Sequence, residues 1–191
     1  VVELLPQFRF ANAELTEEVS VENLVCACSG VPRRDLELFF EGENLSAEGV
    51  LESLAEFELF TDFGETFQYS NQMVASAGYV AAAADGAQFG ALQEGYAESL
   101  EARILDPLGM PRTTLSFEAV RERGEYARPH AFEFGFDYAQ VPLSQERFVE
   151  PVAPAGGHWS TAREMARYMV MQLRGGIGPE GTRIVSEDAL L

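Results

Sequence analysis

Phe67-Gln-Tyr-Ser-Asn-Gln-Met-Val-Ala-Ser-Ala-Gly-Tyr-Val-Ala-Ala-Ala-Ala84 is the stretch on which the reading of this 191-residue chain turns. From Phe60 to Asn71 there is no helical period. Asp62, Gly64 and the alternating Phe63, Phe67 and Tyr69 read as extended or turning backbone. From Gln72 to Ala84 the residues are nearly all small, including Ala75, Ala77, Gly78 and Ala81, and Asp85-Gly86 closes the run. A helix so composed lets neighbouring backbones approach closely and belongs in the middle of a structure. Tyr69 and Asn71, two apart on extended backbone, can face one cleft. There the phenol can relay a proton, and the amide offers a donor and an acceptor in fixed positions. An exposed aromatic followed by a helix cap, Ser70 or Asn71, fits the same residues, and alone they favour that plainer reading.

Outward from this stretch, composition narrows the chemistry. All 13 basic residues are Arg and none is Lys, against 31 acids, for a formal net charge of −18. The chain therefore supplies no Schiff-base lysine, P-loop lysine or Ser–Lys dyad. A pI near 4.4 argues against nucleic acid or an anionic membrane surface as partner. Residues 1–66 carry net −12 and residues 67–191 net −6, which reads as a solvated acidic rim ahead of a docking face for a cationic partner. The longest apolar-rich run, Met73 to Ala84, is too short to span a bilayer. The first residue is Val, and no basic n-region or signal core follows it, so the sequence reads as the interior of a longer protein.

Val1 to Phe10 reads as an extended lead-in broken by Pro6. Ser20 caps a helix over Val21 to Cys28 that buries Val21, Leu24, Val25 and Cys28, with Gly30 in the left-handed turn beyond it. Leu36, Phe39 and Phe40 mark a second short helix. Ser46 caps a third, with Val50, Leu51 and Leu54 inward and Glu48, Glu52 and Glu56 outward. After the small-residue helix, another runs from about Gly90 to Leu105 and stops at Pro107. Residues 111–155, with five prolines and Phe132, Phe134, Phe136, Tyr138 and Phe148, read as irregular but packed loop structure. Thr161 to Glu164 has capping-box spacing for a helix carrying Met165, Tyr168, Met169 and Gln172 and ending at Gly175-Gly176, and Ser186 opens a further helix.

Several chemistries have no signature here: no G-x-S-x-G, H-E-x-x-H, C-x-x-C or phosphate-binding glycine loop occurs. His130 and His158, separated by a Pro-rich stretch, read as loop or pocket histidines rather than metal ligands. Cys26 and Cys28, placed on one helix, point to opposite faces and read as two small buried hydrophobes rather than as partners.

Five segments, in order along nearly the whole chain, resemble one family. Ser20-Val-Glu-Asn-Leu-Val-Cys-Ala-Cys-Ser-Gly-Val-Pro32 is similar to the (S/T)-V-x-x-L-L-x-H-T-S-G-L-P segment of class C β-lactamase-like serine hydrolases. That family spans β-lactamases, penicillin-binding-protein-type peptidases and esterases. Phe67 to Asn71 resembles its Y-x-N motif. Arg103-Ile-Leu-Asp-Pro-Leu-Gly-Met-Pro-Arg-Thr113 resembles I-x-x-P-L-G-M-x-x-T. Ala155-Gly-Gly-His-Trp-Ser-Thr161, followed by Glu164-Met-Ala-Arg-Tyr168, resembles A-G-G-x-x-S-T-x-x-D-(L/M)-A-R-(F/Y), and within Val2 to Phe8 the stretch Leu5-Pro-Gln-Phe8 fits the L-P-x-F of V-x-x-x-L-P-x-F. Cys26 and Cys28 depart from the family's usual Thr, His and Ser types, which touches packing more than chemistry.

The resemblance implies an α+β fold of the β-lactamase/penicillin-binding-protein type, with residues 1–191 a partial domain carrying mainly its helical region and few strands. It implies catalysis through an acyl-enzyme on a small-molecule or peptide-like ester or amide, with no metal or other cofactor. The family's S-x-x-K serine and lysine and its K-T-G or H-x-G strand would lie outside this chain, and with them the oxyanion hole. Tyr69 would relay protons between serine and leaving group. Asn71 would hydrogen-bond the lysine and the substrate, and Ser70 would be structural. Gly157, His158 and Trp159 would run along the pocket wall, His158 or Trp159 touching substrate, although tight turning before a capped helix accounts equally for Gly156 and Gly157. The resemblance favours a periplasmic or secreted location. The competing expectation is a non-catalytic scaffold or interaction protein of the same descent.

Overall fold

The computed structural model describes residues 1–41, 44–135 and 137–190, and among them the regular secondary structure is helical apart from one small hairpin. At the start, Val1 to Phe10 folds into turns rather than an extended lead-in: the Leu4 and Leu5 amides both donate to the Val1 carbonyl at 3.0 Å. Burial of Leu5, Phe8 and Phe10 requires that compaction. Helix α1 (Ala13–Glu18), absent from the sequence reading, is capped by the Asn12 side chain, which accepts from Glu14 and Leu15 N–H. Helix α2 (Val21–Val25) begins where expected, with Ser20 and Asn23 capping each other reciprocally, but ends three residues early. Of its anticipated inward face only Leu24 is fully buried; Val21 and Val25 are about half exposed.

That early end overturns the reading of the cysteines. The chain leaves the helix at Cys26, Ala27 takes a left-handed φ of 52°, and Cys26 and Cys28 are joined as a disulfide with Cα atoms 5.2 Å apart. Opposite faces were a property of a helix that does not reach Cys28.

Helix α3 (Asp35–Glu41) buries Leu38 and leaves Leu36, Phe39 and Phe40 at 72, 55 and 75 % exposure. Helix α4 (Ala47–Ser53), capped by Ser46, runs into a 3-10 turn at Leu54–Glu56 and buries Val50, Leu51 and Leu54 as expected.

The central helix is α5 (Asn71–Ala84), packed against α2, α4, the next helix and the segment Leu143–Ala155. Small residues allow that crowding. A Cβ on Gly78 would lie 2.3 Å from Pro154 Cβ, so only glycine lets the two segments touch there. At the next residue, the buried Tyr79 hydroxyl donates to the Pro151 carbonyl at 2.7 Å, and desolvation holds the phenol well above its ordinary pKa.

Helix α6 (Leu92–Leu100) does not stop at Pro107. It widens into a π-turn at Glu101–Leu105 and continues as α7 (Asp106–Leu108), ending at the left-handed Gly109. Pro107 is the second residue of that last turn, directly after the widened π-turn.

Residues 111–155 are more structured, and in part less packed, than the sequence suggested. They hold α8 (Phe117–Arg123), an antiparallel hairpin of β1 (His130–Phe132) with β2 (Tyr138–Gln140), and the 3-10 segment Leu143–Ala155. Phe132, Phe134 and Tyr138 lie exposed on the hairpin, while Phe148 packs on the core; Phe136 lies outside the described residues. Helix α9 (Ala162–Leu173) begins at Thr161, whose hydroxyl accepts from Glu164 N–H. Residues 186–190 form turns rather than the anticipated helix. The main core surrounds α5, and a small second cluster of Leu105, Leu108, Met110 and Met171 ties α7 to α9. Among the described residues no helix is long and apolar enough to cross a membrane.

Candidate active site

Tyr69 and Asn71 stand at the N-terminal end of α5. Ser70, only 2 % exposed and extended (φ −145°, ψ 117°), turns inward, which leaves the residues on either side facing outward. Ser70 occupies the N-cap position without capping; its hydroxyl points to Gln72 Oε1 at 3.4 Å. The Tyr69 hydroxyl donates to Asn71 Oδ1 at 2.8 Å, so the two residues do converge, and the Tyr69 side of the pair remains 42 % exposed.

Two further residues complete the group. Asn71 Nδ2 donates to Asp35 Oδ1 at 2.9 Å, and Arg33 Nε is paired with Asp35 Oδ2. The Arg33 guanidinium then lies 5.3 Å from the Tyr69 ring centroid. Tyrosine, asparagine, aspartate and arginine thus form a closed ring of contacts. Gln72 Nε2 donates to the Arg34 carbonyl at 3.4 Å, a second tie between this segment and α5. Because the Asp35 carboxylate can only accept, Asn71 turns its nitrogen to Asp35 and its oxygen to Tyr69, and cannot turn over without losing the bond to Asp35. Sequence reading missed Arg33 and Asp35. They directly follow Val31-Pro32, but no spacing rule pairs positions 35 and 71.

Gly157, His158 and Trp159 are placed elsewhere. Gly157 packs tightly on Ala153, where a Cβ would lie 2.9 Å from the Ala153 Cα. Trp159 pairs with Thr114 through two backbone bonds of 2.9 Å and is edge-on to Phe117 and Tyr126. His158 meets the Tyr96 ring edge-on at 6.4 Å and borders a cavity of about 380 Å³ lined by Leu100, Met110, Tyr168 and Met171. Desolvation holds its imidazole below the ordinary pKa of 6.5. Tyr96 in turn touches Tyr79. Tyr79 lies eight residues along α5 from Asn71, about 12 Å of helix. Among the described residues no hydrogen bond or ring contact joins 157–159 to Tyr69 or Asn71.

The Arg112–Thr113 segment is held by a buried carboxylate from α9. Glu164, 5 % exposed, accepts from Arg112 N–H at 3.0 Å and from the Thr113 hydroxyl at 2.6 Å. It therefore does not return to the Thr161 amide as a full capping box would.

The chain is similar to known proteins over nearly its whole length. The Beta-lactamase family model matches residues 1–190. Penicillin-binding protein 4 of Amycolatopsis lactamdurans is 26 % identical over 187 residues, 97 % of this chain and 46 % of that protein. The octameric penicillin-binding protein homologue of Pyrococcus abyssi superposes with a TM-score of 0.75 at 21 % identity, over 99 % of this chain and 41 % of its own. The D-amino acid amidase of Ochrobactrum anthropi SV3, complexed with L-phenylalanine amide, gives 0.68 at 19 % identity, over 94 % and 48 %. The chain thus spans less than half the length of these relatives. With the family's segments in order and its model matching residues 1–190, the chain belongs to the Beta-lactamase family.

Proposed function

We propose that this chain supplies the proton-relay half of a serine hydrolase that acts through an acyl-enzyme on small ester or amide substrates, with the serine and lysine of S-x-x-K outside residues 1–191. One observation carries the reading: the Tyr69 hydroxyl is hydrogen-bonded to Asn71 at the head of the central helix of a Beta-lactamase family chain, on a half-open face. In the reaction the serine oxygen attacks the substrate carbonyl. Tyr69 relays the serine proton to the leaving oxygen or nitrogen, and water then hydrolyses the acyl-enzyme. Asn71, fixed by Asp35, holds the phenol and orients the incoming lysine and substrate.

The similarity to a D-amino acid amidase and to penicillin-binding proteins supports amides and peptide-like substrates ahead of other classes. Of the three anticipated wall residues, His158 borders a cavity of about 380 Å³ and Trp159 a smaller one of about 120 Å³, whereas Gly157 packs on Ala153. The disulfide supports an oxidising compartment.

The test is covalent labelling. A protein that includes the polypeptide preceding Val1 should be labelled at one serine by a fluorophosphonate or penicillin probe, and residues 1–191 alone should not. Absence of labelling in the longer protein would leave the scaffold reading, and saturable esterase activity from residues 1–191 would contradict the assignment.

A further inference from the structure

We infer that the Cys26–Cys28 disulfide is a redox latch on the Tyr69–Asn71 site, a regulation whose catalytic meaning rests on the function proposed above. Both limbs of the site hang on the turn that this bond closes. On one side, the 26–30 turn carries the edge of the segment that delivers Tyr69: Gln68 N–H donates to Ala27 O at 2.6 Å, Gly64 N–H to Cys28 O at 2.8 Å and Phe60 N–H to Gly30 O at 2.9 Å. Gln68 is the residue immediately before Tyr69. On the other side, the same turn leads through buried Val31 to Arg33, over the Tyr69 ring, and to Asp35, which fixes the Asn71 amide.

The turn has a shape that its residues do not favour by themselves. Ala27, the single residue inside the disulfide ring, has φ 52°, a conformation costly for any residue with a Cβ. The bond holds it there, and with it the direction of the Ala27 carbonyl. Gly30 is equally constrained, since a Cβ on it would lie 2.3 Å from the Thr61 carbonyl oxygen. A ring that encloses one residue removes little entropy from the unfolded chain, so the bond shapes the site more than it stabilises the fold. Both cysteines are only partly buried and open to a reductant.

The switching step is an exchange with a dithiol. One thiolate attacks a protein sulfur, the mixed disulfide resolves on the second thiol, and the protein gains two electrons and two protons as two free thiols while the dithiol becomes its own disulfide. Ala27 then relaxes to an ordinary backbone conformation and its carbonyl leaves Gln68.

The test is hydrogen exchange over residues 60–68, with far-UV circular dichroism as a control on the fold, in oxidised protein, in protein reduced by dithiothreitol, and in a Cys26→Ser/Cys28→Ser variant. Exchange should rise tenfold or more on reduction at unchanged helicity, and the double variant should match reduced protein under both conditions. Unchanged exchange in protein whose two thiols titrate as free overturns the latch. Probe labelling of the complete enzyme reads the catalytic part separately. A labelling rate that falls on reduction supports regulation, and a loosened loop with an unaltered rate overturns it. Absence of labelling in both redox states counts against the proposed function and, with it, the regulatory meaning of the latch, while the exchange data decide the structural coupling by themselves.

Discussion

Asp35, at the start of α3, accepts a 2.9 Å hydrogen bond from the side-chain amide of Asn71, 36 positions further on. That bond decides which end of the Asn71 amide meets Tyr69. Replacement of Asp35 by Ala should therefore lower the turnover of the complete enzyme about tenfold, roughly 1.4 kcal/mol, with little change in KM. Its effect on stability should be below about 1 kcal/mol, because Arg33 is solvent-exposed and Asp35 itself only partly buried. Steady-state kinetics beside urea unfolding separate the two, and unaltered turnover would remove Asp35 from the site.

Tyr69→Phe deletes one hydroxyl whose bond to Asn71 is solvent-exposed. The fold should be unaffected and acylation should slow by roughly 10²–10⁴-fold, the range for lost proton transfer. Burst kinetics with a chromogenic ester measure it; wild-type acylation in the variant would place the proton relay elsewhere.

Ala is normally a better helix residue than Gly by about 1 kcal/mol. At position 78 the sign should reverse, because the added methyl would meet Pro154 at 2.3 Å and overpacking costs about 1–3 kcal/mol. A Gly78→Ala variant with a raised thermal midpoint would show that α5 and the 143–155 segment are not in contact.

Glu164 is buried and accepts from the Arg112 amide and the Thr113 hydroxyl. Glu164→Ala strands both donors and should destabilise by about 2–3 kcal/mol, with Glu164→Gln, which keeps one acceptor, well below that. Chemical denaturation at pH 7 measures the difference; equal, small effects would mean that the carboxylate faces water.

His158 titrates below 6.5 in the folded protein because desolvation disfavours its cation. Its folded pKa is depressed, so its stabilising contribution is present above the unfolded value of 6.5 and is lost as pH falls through the lower folded value. Proton NMR should find the His158 ring titrating below 6.5, and His158→Gln should flatten the stability curve over that acid interval. Titration at or above 6.5 would contradict the packing of the ring against Tyr96.

Local rules, read along the chain, identified the caps at Ser20, Ser46 and Thr161, the small-residue helix that became α5, and the order of family segments that names the fold. Each rests on residues within a few positions of one another, where propensity, capping and spacing act directly. Tyr69 and Asn71 belong to this group, two residues apart at a helix start. Tertiary packing decided the rest. Burial of Phe8 and Phe10 made turns of an expected extended lead-in, and the close of α2 at Val25 brought Cys26 and Cys28 together. Arg33 and Asp35 came to lie against Tyr69 and Asn71, and Gly157, His158 and Trp159 made their contacts with other segments, through packing that no local period links. Such contacts depend on where whole elements come to rest, and 36 positions of separation leave no trace of that in the spacing of residues.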